Sequence, residues 1–509
     1  MLGMASDTAA PAGSAPQSQD LLDTPLAGPA AIRGSAVRAV GYVLGVALSV
    51  GSAALLFRHL GVADAGRYVT VLSLVTIAGG ISDLGLNAIA VRELAVLERS
   101  KRERFVRNLL GLRTALTTVG VVGTVVFTVV AGYPSAMVLG TALAGSSLVL
   151  LNLQGTLAAD LTVRLRLGLV TIADLVRQVV TVLGIVVLVV AGASLVPFLA
   201  IQIPAALAAL LLTFAVVRRQ MPLRPAFEWA EWRGLLREVL PFAAAAMLGI
   251  IYFRLAIVLL SLVSTSEETG YFSASFRMIE VLVAIPQLLV TGAFPIFARA
   301  ARDDHARLAF GVQRTFEAGL VVGVGLGLLL ILGAPVAIEV VAGPDFDPSI
   351  GILRIQAIAL MAVFVNVAWL YALLSLRRYR AILVLSLVGV TLNGVTVAIF
   401  GSLYGAKGAA WATTLVDVFQ TILVGVALAM VSPQLRPSLA RVPRVLAAAV
   451  PAAALVLLAG VPSLVLAALG GALYVVLVLV LGAVPDELLV EARKGARSLA
   501  AVRRRRRNA

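Results

Sequence analysis

Three ionisable residues sit where their neighbours are almost wholly apolar. Arg254 interrupts Ile250-Ile251-Tyr252-Phe253-Arg254-Leu255-Ala256-Ile257-Val258, while Arg277 and Glu280 interrupt Ser275-Phe276-Arg277-Met278-Ile279-Glu280. Such a group at the centre of a lipid-embedded helix costs about 2.5 to 3.5 kcal/mol on insertion scales, so each must face protein or water. Arg277 and Glu280, three apart, share a helical face, and a local ion pair is their simplest use. Arg254 has no acid within one turn; snorkelling of its stem to an interface is the plain alternative to a role in chemistry. Both arginines lie at matching depth, roughly 10 to 12 Å from the hairpin at Ser264 to Gly270, counting about 1.5 Å per residue. Two cations converging on one cavity would bind an anion, because guanidinium groups hold phosphate oxygens bidentately and stay charged at depth.

Other polar positions divide into cavity candidates and packing devices. Asp83 and Asn87 form an i,i+4 pair and, with Arg92 and Glu93, make one helix polar over its inner half, as a cavity lining or coupling site requires. Pro286 and Pro295 free backbone carbonyls and mark a candidate hinge in the helix that carries Arg277. Asp174 with Arg177 and Arg314 with Glu317 are spaced as local ion pairs, and Arg38, Arg113 and Arg354 stand close enough to an interface to anchor there. Asp417 with Gln420 serves helix contact as readily as function, and Gly41 with Gly45, and Gly319, Gly323 and Gly327, are spaced as close-packing seams. There is no cysteine and no Gly-x-x-x-x-Gly-Lys-Ser/Thr run, and the two histidines, His59 and His305, fall near opposite membrane faces. No cofactor, metal site or ATP hydrolysis is expected. Glu339, Asp345 and Asp347 occupy the longest external connector but read as solvated surface, so no enzyme is expected.

The elements that must hold these residues are membrane helices. Hydrophobic residues make up 60% of the 509, well above soluble domains, and a bilayer core of about 30 Å needs about 20 apolar residues per crossing. About fourteen such stretches recur, at roughly 36–57, 67–90, 108–131, 135–157, 169–191, 194–217, 239–262, 270–297, 310–333, 351–374, 381–401, 407–431, 443–460 and 463–482. The fold class is therefore an all-α polytopic membrane protein. Arginine falls on alternate connectors: Arg99, Arg102, Arg104 and Arg107 in one, Arg164 and Arg166 in the next of the set, then Arg218 to Arg237, Arg299 to Arg307, Arg377 to Arg380 and Arg436 to Arg444. The opposite set holds only Arg58, Arg67 and Lys407. Basic residues stay on the cytoplasmic side, so an even number of crossings places both termini there.

The expected organisation is a disordered tail over 1–32, a first lobe of six helices over 33–217, an interfacial cytoplasmic linker over 218–238 with Trp229 and Trp232 as anchors, and a second six-helix lobe over 239–432. Two further helices follow over 433–482, and a basic tail over 483–509. An offset of six crossings preserves orientation, as in transporters whose lobes are related by an axis along the membrane normal. The net charge of +15 is absorbed by the inner connectors and the run Arg503 to Arg507, whose partners are anionic lipid headgroups; no nucleic acid is expected.

A series of short motifs completes the sequence reading. Leu240-Pro241-Phe242, Tyr252-Phe253-Arg254, Thr269-Gly270-Tyr271-Phe272-Ser273-Ala274-Ser275-Phe276-Arg277, and Ala284-Ile285-Pro286 through Phe294-Pro295 follow in order. Leu60-Gly61 through Gly66-Arg67-Tyr68, Asp83-Leu84-Gly85-Leu86 and Tyr404-Gly405-Ala406-Lys407-Gly408 flank them. Their order resembles the bacterial polysaccharide transporter, or oligosaccharide flippase, family of the multidrug/oligosaccharidyl-lipid/polysaccharide exporter superfamily. That resemblance implies two six-helix lobes around a central cavity, a place in the bacterial cytoplasmic membrane, and transfer of a polyprenyl-diphosphate-linked oligosaccharide to the outer leaflet by alternating access. It also implies arginines meeting the diphosphate, for which Arg254 and Arg277 are the positions, and glycan-assembly enzymes as partners. Many relatives carry an Asp shortly after the position of Arg254, where this chain has Leu255-Ala256-Ile257. The alternatives are an ion-coupled exporter of drugs or cations, which would use carboxylates such as Asp83 and Glu280, and a membrane glycan polymerase or ligase.

Overall fold

In a computed structural model, residues 27–218, 224–458 and 460–484 are described. The expected N-terminal tail up to residue 26, part of the linker, and the basic run Arg503 to Arg507 lie outside these residues, as does the side chain of Arg38. Among the described residues there is no strand, and the α-helices are α1 (Ala27–Asp83), α2 (Leu86–Val96), α3 (Arg99–Val130), α4 (Ser135–Val163), α5 (Leu167–Val190), α6 (Leu195–Ala200) and α7 (Gln202–Val217). After the linker come α8 (Trp229–Val263), α9 (Ser266–Asp303), α10 (His305–Val341), α11 (Ser349–Ser375), α12 (Tyr379–Val431), α13 (Val442–Ala454) and α14 (Ser463–Val480).

Among the described residues ten stretches are long and apolar enough to cross a membrane, and two of these are 53-residue runs long enough to contain two crossings each. Glycine makes that folding-back possible. Gly61 (φ 71°, ψ 179°) bends α1, and Gly405 (φ 57°, ψ −139°) bends α12; a side chain disfavours both conformations, so the chain reverses there without a loop. α9 and the shorter apolar helix Val442–Leu457 stand at the two remaining stretches where crossings are expected. The helices α1 to α7 form one lobe, α8 to α12 the other, and α13 and α14 pack on α10, where the Tyr474 hydroxyl donates to the carbonyl of Val321 at 2.8 Å.

The two lobes repeat a local device. Where α4 meets α5, Arg164, Leu165 and Arg166 donate backbone N–H groups to Asp160, Thr162 and Leu161 at 3.0, 3.0 and 2.8 Å. Where α11 meets α12, Leu376, Arg377 and Arg378 donate to Ala372, Leu374 and Leu373, each at 3.0 Å. Leu165 and Arg377 both stand at φ 56°, the left-handed conformation that closes a helix end by satisfying its last carbonyls.

Packing corrects several expectations. Gly319, Gly323 and Gly327 do form a seam, since a Cβ on them would meet the carbonyl oxygen of Phe364, the Cβ of Phe364 and the Met361 side chain on α11 at 2.7, 2.6 and 2.4 Å. Gly45 instead has open space beside it and lines a hollow. Arg113 is no interface anchor: its side chain is only 2% exposed and pairs with Asp83 across α1 and α3, with a second bond to Thr156 of α4 at 2.9 Å. Arg354 donates to the carbonyl of Ile331 on α10 at 3.1 Å. Arg314 pairs with Glu317 as its spacing predicts, and Arg441 joins them at 2.7 Å, tying the connector before α13 to α10.

The helix α8 begins at Trp229, well before the span expected from 239, because its first turns are held by α3. The Ala226 N–H donates to Arg107, the Glu228 N–H to the Asn108 side chain, and the Trp232 indole to the Asn108 carbonyl, at 2.8, 3.1 and 3.1 Å. Trp232 is thus bonded to protein, while Trp229 is exposed. Arg104, hydrogen-bonded to Glu228 on the exposed surface, holds its carboxyl below the ordinary glutamate range.

Candidate functional site

The helices α8 and α9 run antiparallel from the short turn at Ser264, and that turn is pressed against the bend of α1. Gly66 and Gly270 permit the approach: a Cβ on Gly270 would lie 2.1 Å from the Val62 carbonyl oxygen, and one on Gly66 would lie 2.3 Å from that of Ser266. Further bonds cross between the lobes at this arginine-poor end. Arg58 donates to the carbonyl of Glu339 at 2.7 Å, and the Tyr133 and Ser261 hydroxyls are 2.7 Å apart. Buried Phe57, Phe346 and Tyr68 fill the space behind them.

Below this seal is a hollow of about 310 Å³ between the lobes. Arg254, Arg277 and Glu280 line it from the second lobe, and Ser49, Arg177 and Gln202 line it from the first. Both arginines grip the same carboxylate. Arg254 Nη2 donates to Glu280 Oε1, and Arg277 Nη1 donates to Glu280 Oε2 at 2.5 Å. Arg277 also donates to the Ser49 hydroxyl of the opposite lobe. The tertiary fold therefore supplies Arg254 with the acid that its own helix lacks within one turn. Two guanidinium groups sharing one carboxylate leave an excess positive charge, and the Nε groups of both arginines are buried without a hydrogen-bond partner. The two arginines also stand deeper than expected, about 15 Å along their helices from the turn, because α9 is already helical from Ser266.

A second hollow, of about 720 Å³, continues towards the arginine-rich end and shares Ser49, Arg177 and Gln178 with the first. Asn87 and Asp174 line this larger hollow. Asp83 is instead held by Arg113, and Arg92 pairs with Glu93 at 2.8 Å on an exposed surface. Of the polar group expected on that helix, Asn87 is thus the one on a cavity wall. Arg177, read from its spacing as a local partner of Asp174, lines both hollows. Its position well inside α5 was the available signal, obscured by the acid three residues before it. Pro286 is buried and Pro295 exposed, and α9 continues helically through both. Asp417 accepts from the Tyr252 hydroxyl, joining α12 to α8, while Gln420 donates to the carbonyl of Leu385 at 3.1 Å. Among the described residues no group of three acids or histidines could hold a metal.

A family profile described as polysaccharide biosynthesis protein matches residues 31–301. No curated protein sequence matches the chain. Among solved structures, the fold is similar to that of the lipid II flippase MurJ in an inward closed conformation, with a TM-score of 0.71 and 12% identity over 86% of this chain and 97% of the other. An inward-facing multidrug resistance transporter of the MATE family in the MOP superfamily aligns with a TM-score of 0.64 and 10% identity, over 77% of this chain and 95% of that one. A MOP superfamily transporter from Pyrococcus furiosus, characterised by a binding pocket of reversed polarity, aligns at 0.53 and 13%, over 80% and 96%.

Proposed function

Because the chain belongs to the polysaccharide biosynthesis protein family, and has the fold of the MOP transporters, we propose that it moves a polyprenyl-diphosphate-linked oligosaccharide across the bacterial cytoplasmic membrane, from inner to outer leaflet, by alternating access. The observation that carries this reading is the pair Arg254 and Arg277 on one wall of the interlobe hollow, sharing the single carboxylate of Glu280. A lipid-linked sugar diphosphate needs a polar chamber for its head and cations for its phosphates. With the arginine-rich connectors taken as cytoplasmic, the larger hollow admits the head from the inner side, and the diphosphate reaches Arg254 and Arg277 beneath the closed end.

In this mechanism Glu280 is a placeholder. It keeps the arginines charged and oriented in the empty protein, and incoming phosphate oxygens compete with it for the same N–H donors. Releasing Arg277 from Glu280 and Ser49 would loosen a bond between the lobes, which links occupancy to opening at the far end. Pro286 and Pro295 in α9 are where that helix would bend. The rival of cation export asks for carboxylates free to meet a cation, whereas Glu280 is held by two arginines.

The test is transport of a fluorescent lipid-linked oligosaccharide in proteoliposomes. Arg254→Ala is expected to abolish transfer while membrane insertion and melting temperature stay near wild type; unimpaired transfer by this variant would remove Arg254 from the site.

A further inference from the structure

A third hollow, away from the central cavity, opens at the arginine-rich end of the second lobe. It has a volume of about 720 Å³ and is lined by Arg302 at the end of α9, His305 at the start of α10, Ser375, Arg377 and Arg378 in the turn between α11 and α12, and Ser432 after α12. Three separate chain segments thus bring three guanidinium groups and an imidazole around one cleft. Its size falls in the usual range for a small-molecule site, about 300 to 1,000 Å³.

Basic residues at this end are expected for membrane insertion alone, so charge by itself argues little. The first lobe supplies an internal control. Its matching turn has the same three backbone bonds and the same left-handed residue, and there Arg164 pairs at 2.7 Å with Asp160, whose side chain is 1% exposed. In the second lobe Leu376 and Ala372 stand at the positions of Arg164 and Asp160, and an arginine, Arg377, stands at the position of Leu165. Among the described residues no carboxylate pairs with Arg377 or Arg378. Arg302 has only Asp303, at 3.6 Å on an exposed surface, an arrangement worth little. The left-handed backbone is common to both turns and marks neither as a site; the additional arginine at 377 and the surrounding cleft are what separate them.

We propose that this cleft is a binding site for a phosphate-bearing anion, independent of the central cavity. Arginines from α9 and from the α11–α12 turn would hold the phosphate oxygens from two sides, with the Ser375 and Ser432 region closing the wall. The phosphate could belong to an anionic lipid headgroup of the adjoining leaflet or to a soluble molecule, and the two sources are separable.

Four full-length proteins decide the matter: wild type, the triple variant Arg302→Gln/Arg377→Gln/Arg378→Gln, Arg378→Gln alone, and the first-lobe control Arg166→Gln. One arm measures retained lipid by native mass spectrometry from micelles doped with phosphatidylglycerol or with phosphatidylcholine; the other titrates inorganic phosphate calorimetrically. If the occupant is a lipid headgroup, wild type and Arg166→Gln retain phosphatidylglycerol over phosphatidylcholine, Arg378→Gln retains about tenfold less, and the triple variant retains none. If it is soluble, the same ranking emerges in the phosphate arm and is absent from the lipid arm. The proposal is overturned if wild type binds neither probe, if the triple variant binds as wild type does, or if Arg166→Gln loses as much as Arg378→Gln. Because Arg254 and Arg277 are intact throughout, these outcomes are distinct from failure of the central-site reading.

Discussion

At the scale of single residues, the decisive contact is one carboxylate between two arginines. Arg277 finds Glu280 three positions along its own helix, as spacing alone predicts, but Arg254 reaches the same group from a neighbouring helix. If Glu280 competes with cargo phosphates, Glu280→Gln should bind farnesyl diphosphate roughly tenfold more tightly, one hydrogen bond to a charged group being worth about 1.5 to 3 kcal/mol. The empty variant should also be less stable, by about 1 to 3 kcal/mol, since two half-buried guanidinium groups lose their shared acceptor. Calorimetric titration and thermal unfolding read the two effects; an unchanged affinity would mean that Glu280 does not stand in the phosphate's place.

Among elements, helix pairing explains polar residues that spacing misreads. Asp83 lies at the end of α1 and straps it onto α3, because Arg113 is buried in the first lobe and must be neutralised there. The pair is asymmetric: the Arg113 side chain is 2% exposed and that of Asp83 is 37%. Asp83→Asn strands a buried cation, at about 3 to 5 kcal/mol, whereas Arg113→Leu leaves a carboxylate with access to water and an apolar side chain in its place. Thermal unfolding of the two purified variants should therefore find Asp83→Asn the less stable; the reverse order would mean that the strap does not neutralise Arg113.

For the whole molecule, the closed end depends on two glycines that face each other across the lobes. A methyl group at Gly270 cannot fit against the Val62 carbonyl without the turns parting, so Gly270→Ala should shift the population towards a form open at that end. The natural chain has no cysteine, so Thr269→Cys, at a position that is fully buried, is a clean reporter. An impermeant maleimide should label Thr269→Cys several-fold faster when Gly270→Ala is also present; equal labelling would mean that close packing at Gly270 does not hold the lobes shut.

Hydropathy made the all-helical membrane architecture legible from sequence, because lipid demands long apolar helices whatever surrounds them. The same logic identified Arg254, Arg277 and Glu280 as out of place, and the fold brings all three to one hollow. What sequence could not decide is which polar groups meet across helices. The spacing of Asp174 and Arg177 hid a cavity arginine, and the depth of Arg113 concealed its partner thirty residues earlier in Asp83. Periodicity reports the face of a helix, but the neighbour that face meets is set by how the helices pack, and only the assembled lobes determine whether a charge ends against protein or water.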